Sequence, residues 1–196
     1  MGKTVAAFTM SLDGFIAGPN DEVGRLFKWY GSGDTEFTVP GTGMVFKVAE
    51  ASAAYMQEEW SKLGAIVTGR RDFDVSNAWG GNLILGVPHF IVTHNPPQEW
   101  LGDDSPFVFV TEGVETAVSL AQEAAGDKNV GVGGTQIVQQ CLQAGLIDEI
   151  HIELAHMLLG EGIRLFDNLA GYGIDLEKIR VIDTPDVTHL HFRVVK

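Results

Sequence analysis

Short apolar runs alternate along this chain with segments in which apolar residues recur every three or four positions. The runs, bounded by turn residues, predict eight strands, at residues 4–9, 65–68, 89–93, 107–110, 129–132, 149–156, 177–183 and 187–195. The helical spacing predicts helices at residues 45–63, 70–77, 114–125 and 136–144. Only Thr184-Pro185-Asp186, a compact turn, separates the last two strands. We therefore expect an α/β fold with a mostly parallel eight-stranded central sheet, helices on both faces and a C-terminal antiparallel hairpin.

The chain length and composition suit one domain. With 196 residues, 45% of them hydrophobic, the chain can bury one full core, and no repeat or low-complexity linker interrupts it. We expect a single domain over residues 1–196. Residues 18–43 are rich in glycine but also carry large apolar side chains, among them Trp29 and Tyr30. Such a segment is too apolar for a solvated tether and predicts a long loop folded over another part of the molecule.

The charge narrows the choice of partners. A formal net charge of -13 repels nucleic acid and anionic membranes, so neither is expected as a partner. No apolar run approaches the roughly 20 residues that cross a bilayer, and no small-residue cleavage site follows the apolar residues 4–10. The single cysteine, Cys141, lies at helical spacing among apolar residues, which indicates buried packing. We expect a cytoplasmic protein that binds a small molecule.

A glycine turn follows the strand predicted at residues 129–132. Gly133, Gly134, Thr135 and Gln136 lead directly into a helix, whose first backbone N–H groups and dipole favour an anion such as phosphate. The dinucleotide pattern G-x-G-x-x-G is not met, because Gln136 stands where its third glycine would fall. The alternative is a tight turn that needs glycine only for its backbone angles.

A second strand-to-helix turn carries two arginines. Gly69 is followed by Arg70 and Arg71 in the first turn of a predicted helix, where guanidinium groups oppose the helix dipole. An anion would explain them; alternatively, one arginine is exposed and the other pairs with Asp72 or Asp74. Thr93 and His94 end a third strand, and the carboxyl ends of parallel strands are where open α/β sheets bind ligands.

Paired histidines mark the C-terminal strands. His151 and Glu153 share one strand face, as do His189 and His191, because side chains alternate along a strand. Each pair lacks a visible third ligand, so no metal site is predicted, and a solvated face or a dimer contact is favoured. The mixed face of residues 187–195 and the edges that long terminal strands offer predict a homodimer formed partly through these strands.

Six segments together resemble one known family. They are residues 11–18, 68–71, 92–94, 132–134, 145–149 and 158–166, which run in the family's order along nearly the whole chain. The chain resembles the reductases related to dihydrofolate reductase, in particular the C-terminal reductase domain of the bifunctional riboflavin-biosynthesis deaminase-reductase. It departs from the family at His156-Met157, where relatives usually have a proline.

This resemblance implies that NADPH lies across the carboxyl-terminal edge of the sheet. The family would place its diphosphate on Gly133, Gly134, Thr135 and Gln136. Its adenosine ribose and 2′-phosphate would lie among the residues of the arginine turn and the third strand, namely Gly69, Arg70, Arg71, Thr93 and His94. The nicotinamide would lie against Ala7, Ile16 and Ala17.

The resemblance also bears on the substrate and the proton source. Dihydrofolate reductase holds its pterin with an acidic residue on the first helix, but the corresponding positions here, near Tyr55, have no carboxylate, which disfavours dihydrofolate. The chemistry still needs a proton, and we expect Asp13, or a water beside it, to supply it; the alternative is a turn-forming aspartate before Gly14. The nearest activity is 5-amino-6-(5-phosphoribosylamino)uracil reductase. The alternatives are a dihydrofolate or pterin reductase, or a nucleotide-binding protein without turnover.

Overall fold

A computed structural model describes residues 2–196, which form twelve strands and four α-helices. The strands are β1 (Thr4–Ser11), β2 (Phe15–Ala17), β3 (Thr35–Thr38), β4 (Val45–Val48), β5 (Leu63–Gly69), β6 (His89–Val92), β7 (Phe107–Val110), β8 (Asn129–Val132), β9 (Glu149–Ala155), β10 (Ile163–Arg164), β11 (Leu176–Asp183) and β12 (Val187–Val194). The α-helices are α1 (Glu50–Ser61), α2 (Arg70–Val75), α3 (Val114–Ala125) and α4 (Thr135–Gln143). Short 3₁₀ segments lie at Leu26–Gly31, Asn77–Gly81, Ile84–Gly86 and Gln98–Trp100. Within residues 2–196, no helix is both long and apolar enough to cross a membrane.

Eight of the strands form one central sheet in the order β11-β12-β9-β1-β8-β5-β6-β7. The strands from β9 to β7 pair in parallel, whereas β12 runs antiparallel to β9 and β11 antiparallel to β12. The predicted mostly parallel sheet with a C-terminal antiparallel hairpin is therefore confirmed. The parallel arrangement brings the carboxyl ends of β1, β5, β6 and β8 to one edge, where the site lies.

Helices cover both faces of the sheet, because the strands carry apolar residues on both of their faces. One face packs Ala6, Val67 and Val132 against α3 and α4, in a core that also contains Val118 and Cys141. On the other face, Tyr55 and Met56 of α1 pack with Val187 and Trp29. The sheet is thus covered on both faces. A separate aromatic cluster around Phe73 packs beside β6 and β7.

The first predicted helix is wrong at its start. Residues 45–48 form β4, which pairs antiparallel with β3, and α1 begins only at Glu50. The alternation in Val45-Phe46-Lys47-Val48 suits a strand once β3 provides a partner. The partner comes from the segment predicted as a long loop, which holds β3 and the 3₁₀ turn at Leu26–Gly31 and packs against α1, as its apolar content indicated.

The histidine face of β12 is not the wet or dimer-forming face that the sequence suggested. His189 is 0% exposed and His191 is 4% exposed, because α1 lies over them. His189 Nε2 lies 2.9 Å from Ser52 Oγ, and its ring packs 4.1 Å from that of Tyr55. Both faces of this hairpin carry apolar residues, so alternation alone could not show which face a helix covers. A dimer contact through these histidines is excluded by this packing.

Candidate active site

A cavity of about 1170 Å³ opens at the carboxyl-terminal edge of the parallel strands. It is large enough for a dinucleotide with a small second molecule, since pockets for drug-sized ligands have volumes of about 300–1,000 Å³. Eleven of the residues proposed from the sequence line it, namely Ala7, Ile16, Ala17, Gly69, Arg70, Arg71, Thr93, His94, Gly134, Thr135 and Gln136. Gly133 and Asp13 are not among the lining residues.

Gly134 forms the turn between β8 and α4. Its φ of 75° lies in the region that favours glycine, and a Cβ there would lie 3.3 Å from Thr68 Oγ1 and 3.4 Å from the Gly69 nitrogen. No side chain caps α4, and its first helical bond runs from the Val138 N–H to the Gly134 carbonyl. A helix leaves its first N–H groups without helical partners, so α4 presents free backbone donors where Thr135 and Gln136 line the cavity.

Gly133 serves the sheet rather than the cavity. Its N–H donates to the Val67 carbonyl at 2.8 Å, which continues the pairing of β8 with β5. A Cβ at Gly133 would lie 3.2 Å from Thr68 Oγ1, so glycine allows the two strands to approach closely there. Of the two glycines, Gly134 is the better placed to contact a ligand.

Both arginines of the β5–α2 turn already have partners. Arg70 donates from Nε to Asp74 Oδ1 at 2.7 Å and from Nη1 to the Asn95 carbonyl at 2.6 Å. Arg71 makes a two-pronged contact with Asp21, at 3.1 Å and 2.9 Å. The pairing with Asp74 was an alternative open from the sequence, whereas Asp21 stands 50 residues away and was not foreseen. Asp21 also lines the cavity, so this ion pair ties the loop after β2 to its rim.

The third strand end lies beside these arginines. Thr93 is buried, its N–H donates to the Val110 carbonyl at 3.0 Å, and its Oγ1 accepts from the Asn95 N–H at 3.2 Å. His94 is exposed at the rim. Since the Asn95 carbonyl also accepts from Arg70, the end of β6 and the start of α2 are held together around one part of the cavity.

The inner wall of the cavity is built from small residues and close backbone. Ala17 pairs with Ile163 in the short β2–β10 ladder, and Gly162 approaches the Ala17 carbonyl so closely that no Cβ would fit. Ala7 and Ile16 line the same cavity. Such a wall offers space and backbone groups to a planar ligand. β2 and β10 were missed from the sequence because strands of three and two residues show no periodicity.

Asp13 holds a backbone turn. Ser11 Oγ donates to its Oδ1 at 2.5 Å, and the N–H groups of Leu159 and Gly160 donate to the carboxylate at 3.1 Å and 2.7 Å. The Ser11 hydroxyl first, and then these backbone groups, lower the pKa of Asp13 to about 2. An acid this strong carries no proton at neutral pH. The geometry favours the turn-forming alternative, and catalysis by Asp13 stays an untested prediction.

Glu153, which alternation in the sequence placed only in a possible metal pair with His151, lines the cavity wall. The Tyr55 hydroxyl donates to Glu153 Oε1 at 2.8 Å. Burial raises the pKa of Glu153 to about 7. In the sequence, the sign of this position was the alternation of Glu153 with the buried residues of β9. The sequence did not show that α1 covers this face of the strand.

Three potential metal ligands, Glu59, His151 and His191, do come together, with their ligand atoms within 4.8 Å of one another. The two imidazole rings, however, are stacked 3.5 Å apart and nearly parallel, at 7°. Nitrogen lone pairs lie in the ring plane, so those of stacked rings run side by side instead of converging on one ion. His151 Nε2 also lies 3.1 Å from Glu149 Oε2. This geometry favours a buried polar layer, and we assign it no metal.

Aromatic side chains enclose the end of the cavity near α1. Tyr30 and Phe46 stack with centroids 4.1 Å apart and an angle of 11°, and Trp60 lines the cavity with them. Flat aromatic walls of this kind suit a planar heterocycle. The cavity therefore has an end with backbone donors and arginines, and an end with aromatic rings and one carboxyl group.

Comparison with known proteins gives one family. Residues 3–187 match the model of the RibD C-terminal domain. No curated protein matches the sequence.

Among solved structures, a protein from Shewanella sp. PV-4 described as a riboflavin biosynthesis protein superposes with a TM-score of 0.73 at 20% identity, covering 99% of each chain. A diaminohydroxyphosphoribosylaminopyrimidine deaminase/5-amino-6-(5-phosphoribosylamino)uracil reductase from Thermotoga maritima gives a TM-score of 0.62 at 13% identity, covering 99% of this chain and 57% of that one. Dihydrofolate reductase from Enterococcus faecalis, complexed with NADP(H) and RAB-propyl, gives 0.61 at 11% identity, covering 100% and 98%. At these identities the likenesses show the fold.

Proposed function

Because this chain belongs to the RibD C-terminal domain family, a reductase family of riboflavin biosynthesis, we propose that it reduces a small heterocyclic or phosphoribosylamino substrate with NADPH. The observation that carries the proposal is the uncapped start of α4 at Gly134, which opens into a cavity of dinucleotide size. Backbone donors at a helix start are a recurrent site for a diphosphate. A Cβ at Gly134 would lie 3.3 Å from Thr68 Oγ1 and 3.4 Å from the Gly69 nitrogen, so a side chain there would crowd the edge at which such a group would bind.

The residues present fit the cofactor in three parts. Gly134, Thr135 and Gln136 would hold the diphosphate, with Gly133 shaping the turn. The adenosine ribose and its 2′-phosphate would lie among Gly69, Arg70, Arg71, Thr93 and His94. The nicotinamide would rest on the small-residue wall of Ala7, Ile16 and Ala17, and when bound it supplies the hydride.

NADPH, rather than NADH, is the proposed cofactor because two arginines stand at the adenosine end. Arg71 is the better phosphate ligand of the two, since its side chain is 69% exposed and its ion pair with Asp21 lies at the cavity rim. Exposed ion pairs contribute little stability, so a phosphate can replace Asp21 as the partner of Arg71 at small cost. Guanidinium and phosphate then form a charge-assisted pair.

The substrate would bind at the aromatic end, next to the nicotinamide wall. The activity printed for the T. maritima relative, 5-amino-6-(5-phosphoribosylamino)uracil reductase, is the closest candidate, because its substrate joins a planar heterocycle to a phosphosugar. A dihydrofolate or pterin substrate is the second candidate. It is favoured by one observation, the carboxyl group of Glu153 in the cavity wall, which could hold an amino-substituted ring.

We propose a cytoplasmic homodimer whose contact includes β11, the edge strand of the sheet, and the half-exposed face of β12 opposite the histidines. Val181 of β11 is 47% exposed and Leu176 is 44% exposed, so this surface has apolar area to bury. Light scattering at micromolar concentration tests the stoichiometry, and a monomer would contradict it.

Cofactor binding and turnover are tested separately. Fluorescence titration should show tighter binding of NADPH than of NADH, and equal affinities would remove the assignment of the arginine turn. Loss of reduced-nicotinamide absorbance would then be followed with 5-amino-6-(5-phosphoribosylamino)uracil and with 7,8-dihydrofolate as acceptors. Tight NADPH binding with no oxidation by either acceptor would favour a nucleotide-binding protein or another substrate.

A further inference from the structure

We propose that Glu153 is a catalytic residue: its carboxyl group contacts the substrate and delivers the proton that accompanies hydride transfer, while Tyr55 positions it. The inference rests on the proposed reductase function and adds the proton source and the kind of atom that the substrate must present. It assigns the proton to Glu153 of β9 instead of Asp13, which does not line the cavity.

The sheet register puts Glu153 beside the expected reaction centre. β9 pairs in parallel with β1, so that Glu153 lies opposite Thr9 and His151 opposite Ala7. Ala7 and Thr9 are two residues apart on one strand face, a spacing of about 6.5–7 Å. Glu153 is therefore a diagonal neighbour of Ala7 on the adjacent strand, and both residues line the cavity in which the nicotinamide would rest.

The surroundings of Glu153 keep a proton available near neutral pH. The titratable groups that face it are Tyr55 and Glu59 from α1, Tyr30 from the 3₁₀ turn, His189 from β12 and His151 on β9 itself. Burial raises the pKa of the Glu153 carboxyl to about 7, the Tyr55 hydrogen bond opposes that rise, and the charge of Glu59 adds to it. A general acid works best when its pKa lies near the working pH.

A comparison with Glu149 on the same strand face shows that this environment is unusual. Glu149 accepts from Lys3 Nζ at 2.5 Å and lies 3.1 Å from His151 Nε2, and these partners lower its pKa despite burial. No lysine or arginine of residues 2–196 forms an ion pair with Glu153. A cavity-facing carboxyl group that accepts from the Tyr55 hydroxyl and from no cation is able to exchange its proton with a ligand.

The step balances as a reduction of a C=N bond. The carbon of that bond accepts a hydride, and its nitrogen takes the proton from the Glu153 carboxyl, giving a CH–NH unit. Glu153 is left as a carboxylate, which the Tyr55 hydroxyl stabilises by donating to Oε1, and it regains a proton from solvent through the cavity mouth. The reductant is the nicotinamide cofactor of the proposed function. The substrate must therefore turn a ring or imine nitrogen toward β9.

The first test needs no substrate. Protein with ¹³C-labelled glutamate side chains would be titrated by NMR, and Glu153→Gln identifies the Glu153 signal. We expect that carboxyl to titrate near pH 7. Tyr55→Phe should move the midpoint upward, because it removes the donor that stabilises the ionised form. A midpoint below pH 5, or one that Tyr55→Phe leaves unchanged, would overturn the proposal.

The second test uses benzamidine, a flat ring with a permanently charged amidinium whose two N–H groups match a carboxylate. NADPH-loaded wild-type protein should bind it about tenfold more tightly at pH 8 than at pH 6, because Glu153 ionises between them. Glu153→Gln should bind at least tenfold more weakly at pH 8. Glu149→Gln, on the same strand, is the matched control and should bind as wild type does.

The outcomes separate this inference from the proposed function. If wild-type protein fails to bind NADPH, the proposed function fails, while the NMR titration still tests Glu153 in the free protein. If NADPH binds equally to wild type and Glu153→Gln but benzamidine binding is absent from wild type, or is unaffected by the substitution, only the role of Glu153 is overturned.

Discussion

Two turns of this protein share one sequence pattern but differ in what they offer a ligand. Both the β8–α4 turn and the β5–α2 turn join a parallel strand to a helix through glycine at the same cavity edge. Neither helix start has a side-chain cap, and at Gly134 the backbone donors of α4 are all that the turn offers a ligand. At Gly69 two arginine side chains are added as donors, and both are already satisfied by Asp74, Asn95 and Asp21.

The difference separates affinity from selectivity. A backbone site built into a turn binds without rearrangement and cannot tell one diphosphate cofactor from another. Arg71 must release Asp21 in order to bind the cofactor. It gains binding free energy from this exchange only if the cofactor carries the 2′-phosphate. We therefore infer that the glycine turn supplies most of the cofactor affinity and that the arginine turn supplies the preference for NADPH.

The largest expected effect comes from closing the glycine turn. Gly134→Val should weaken NADPH binding by about 100-fold or more, roughly 3 kcal/mol, because a side chain that crowds Thr68 and Gly69 at φ 75° forces the turn to shift and misplaces the backbone donors of α4. NADPH and NADH should suffer equally. The affinities would be measured by fluorescence titration.

Gly145→Val is the matched control for this variant. Gly145 has a similar φ of 68° at the opposite end of α4, with nothing within 4 Å of a Cβ there. Both variants carry the φ strain and should lose stability by thermal unfolding, Gly134→Val the more because Thr68 and Gly69 crowd its Cβ, but only Gly134→Val should lose the cofactor. If both bind NADPH normally, the glycine at 134 has only a backbone role.

The next largest effect is expected on the selectivity between NADPH and NADH. Arg71→Ala should reduce the preference for NADPH over NADH by about tenfold, in line with about 1.5–3 kcal/mol for a hydrogen bond to a charged group and some loss to solvent screening. NADH affinity should stay unchanged. Arg70→Ala is the control, since Arg70 is held by both Asp74 and Asn95, and it should change the ratio less. Equal losses for both cofactors in Arg71→Ala would place the adenosine phosphate elsewhere.

How far the sequence could predict these two turns depends on the range of the contacts. Gly134 and the start of α4 follow from a local pattern of an apolar strand, glycine and an amphipathic helix, and the prediction needed no partner. Asp21 could not be predicted as the partner of Arg71, because the contact depends on how the loop after β2 folds back across the cavity.

The dependence on contacts between distant parts of the chain also explains the residues that the sequence misassigned. Alternation correctly placed His151 with Glu153 on one face of β9 and His189 with His191 on one face of β12, but whether those faces are wet depends on α1, whose position no local pattern fixes. Residues 45–48 became a strand because β3 pairs with them. The mostly parallel sheet with its C-terminal antiparallel hairpin, by contrast, followed from buried strands of strong periodicity and from the family resemblance.

A smaller effect, opposite in sign, should follow from releasing Arg71. Asp21→Asn removes the competing carboxylate but keeps the size of the side chain, so NADPH binding should tighten by about threefold, a modest gain typical of exposed ion pairs. NADH binding should not change. If Asp21→Asn weakens NADPH binding, the ion pair supports the bound state by holding the loop in place, and the exchange of partners is wrong.

The smallest effect on cofactor affinity is expected at Asp13, which belongs to neither turn. Asp13→Asn should leave NADPH binding as in wild type while lowering the stability of the fold at neutral pH, because the carboxylate accepts from Ser11, Leu159 and Gly160. Since the folded pKa of Asp13 is lowered to about 2, its contribution is present above the ordinary value of 3.8 and is lost as the pH falls through 2. The difference in urea unfolding between wild type and variant should therefore shrink at acid pH. A variant that keeps full stability but loses turnover would instead restore Asp13 as the proton donor and argue against Glu153.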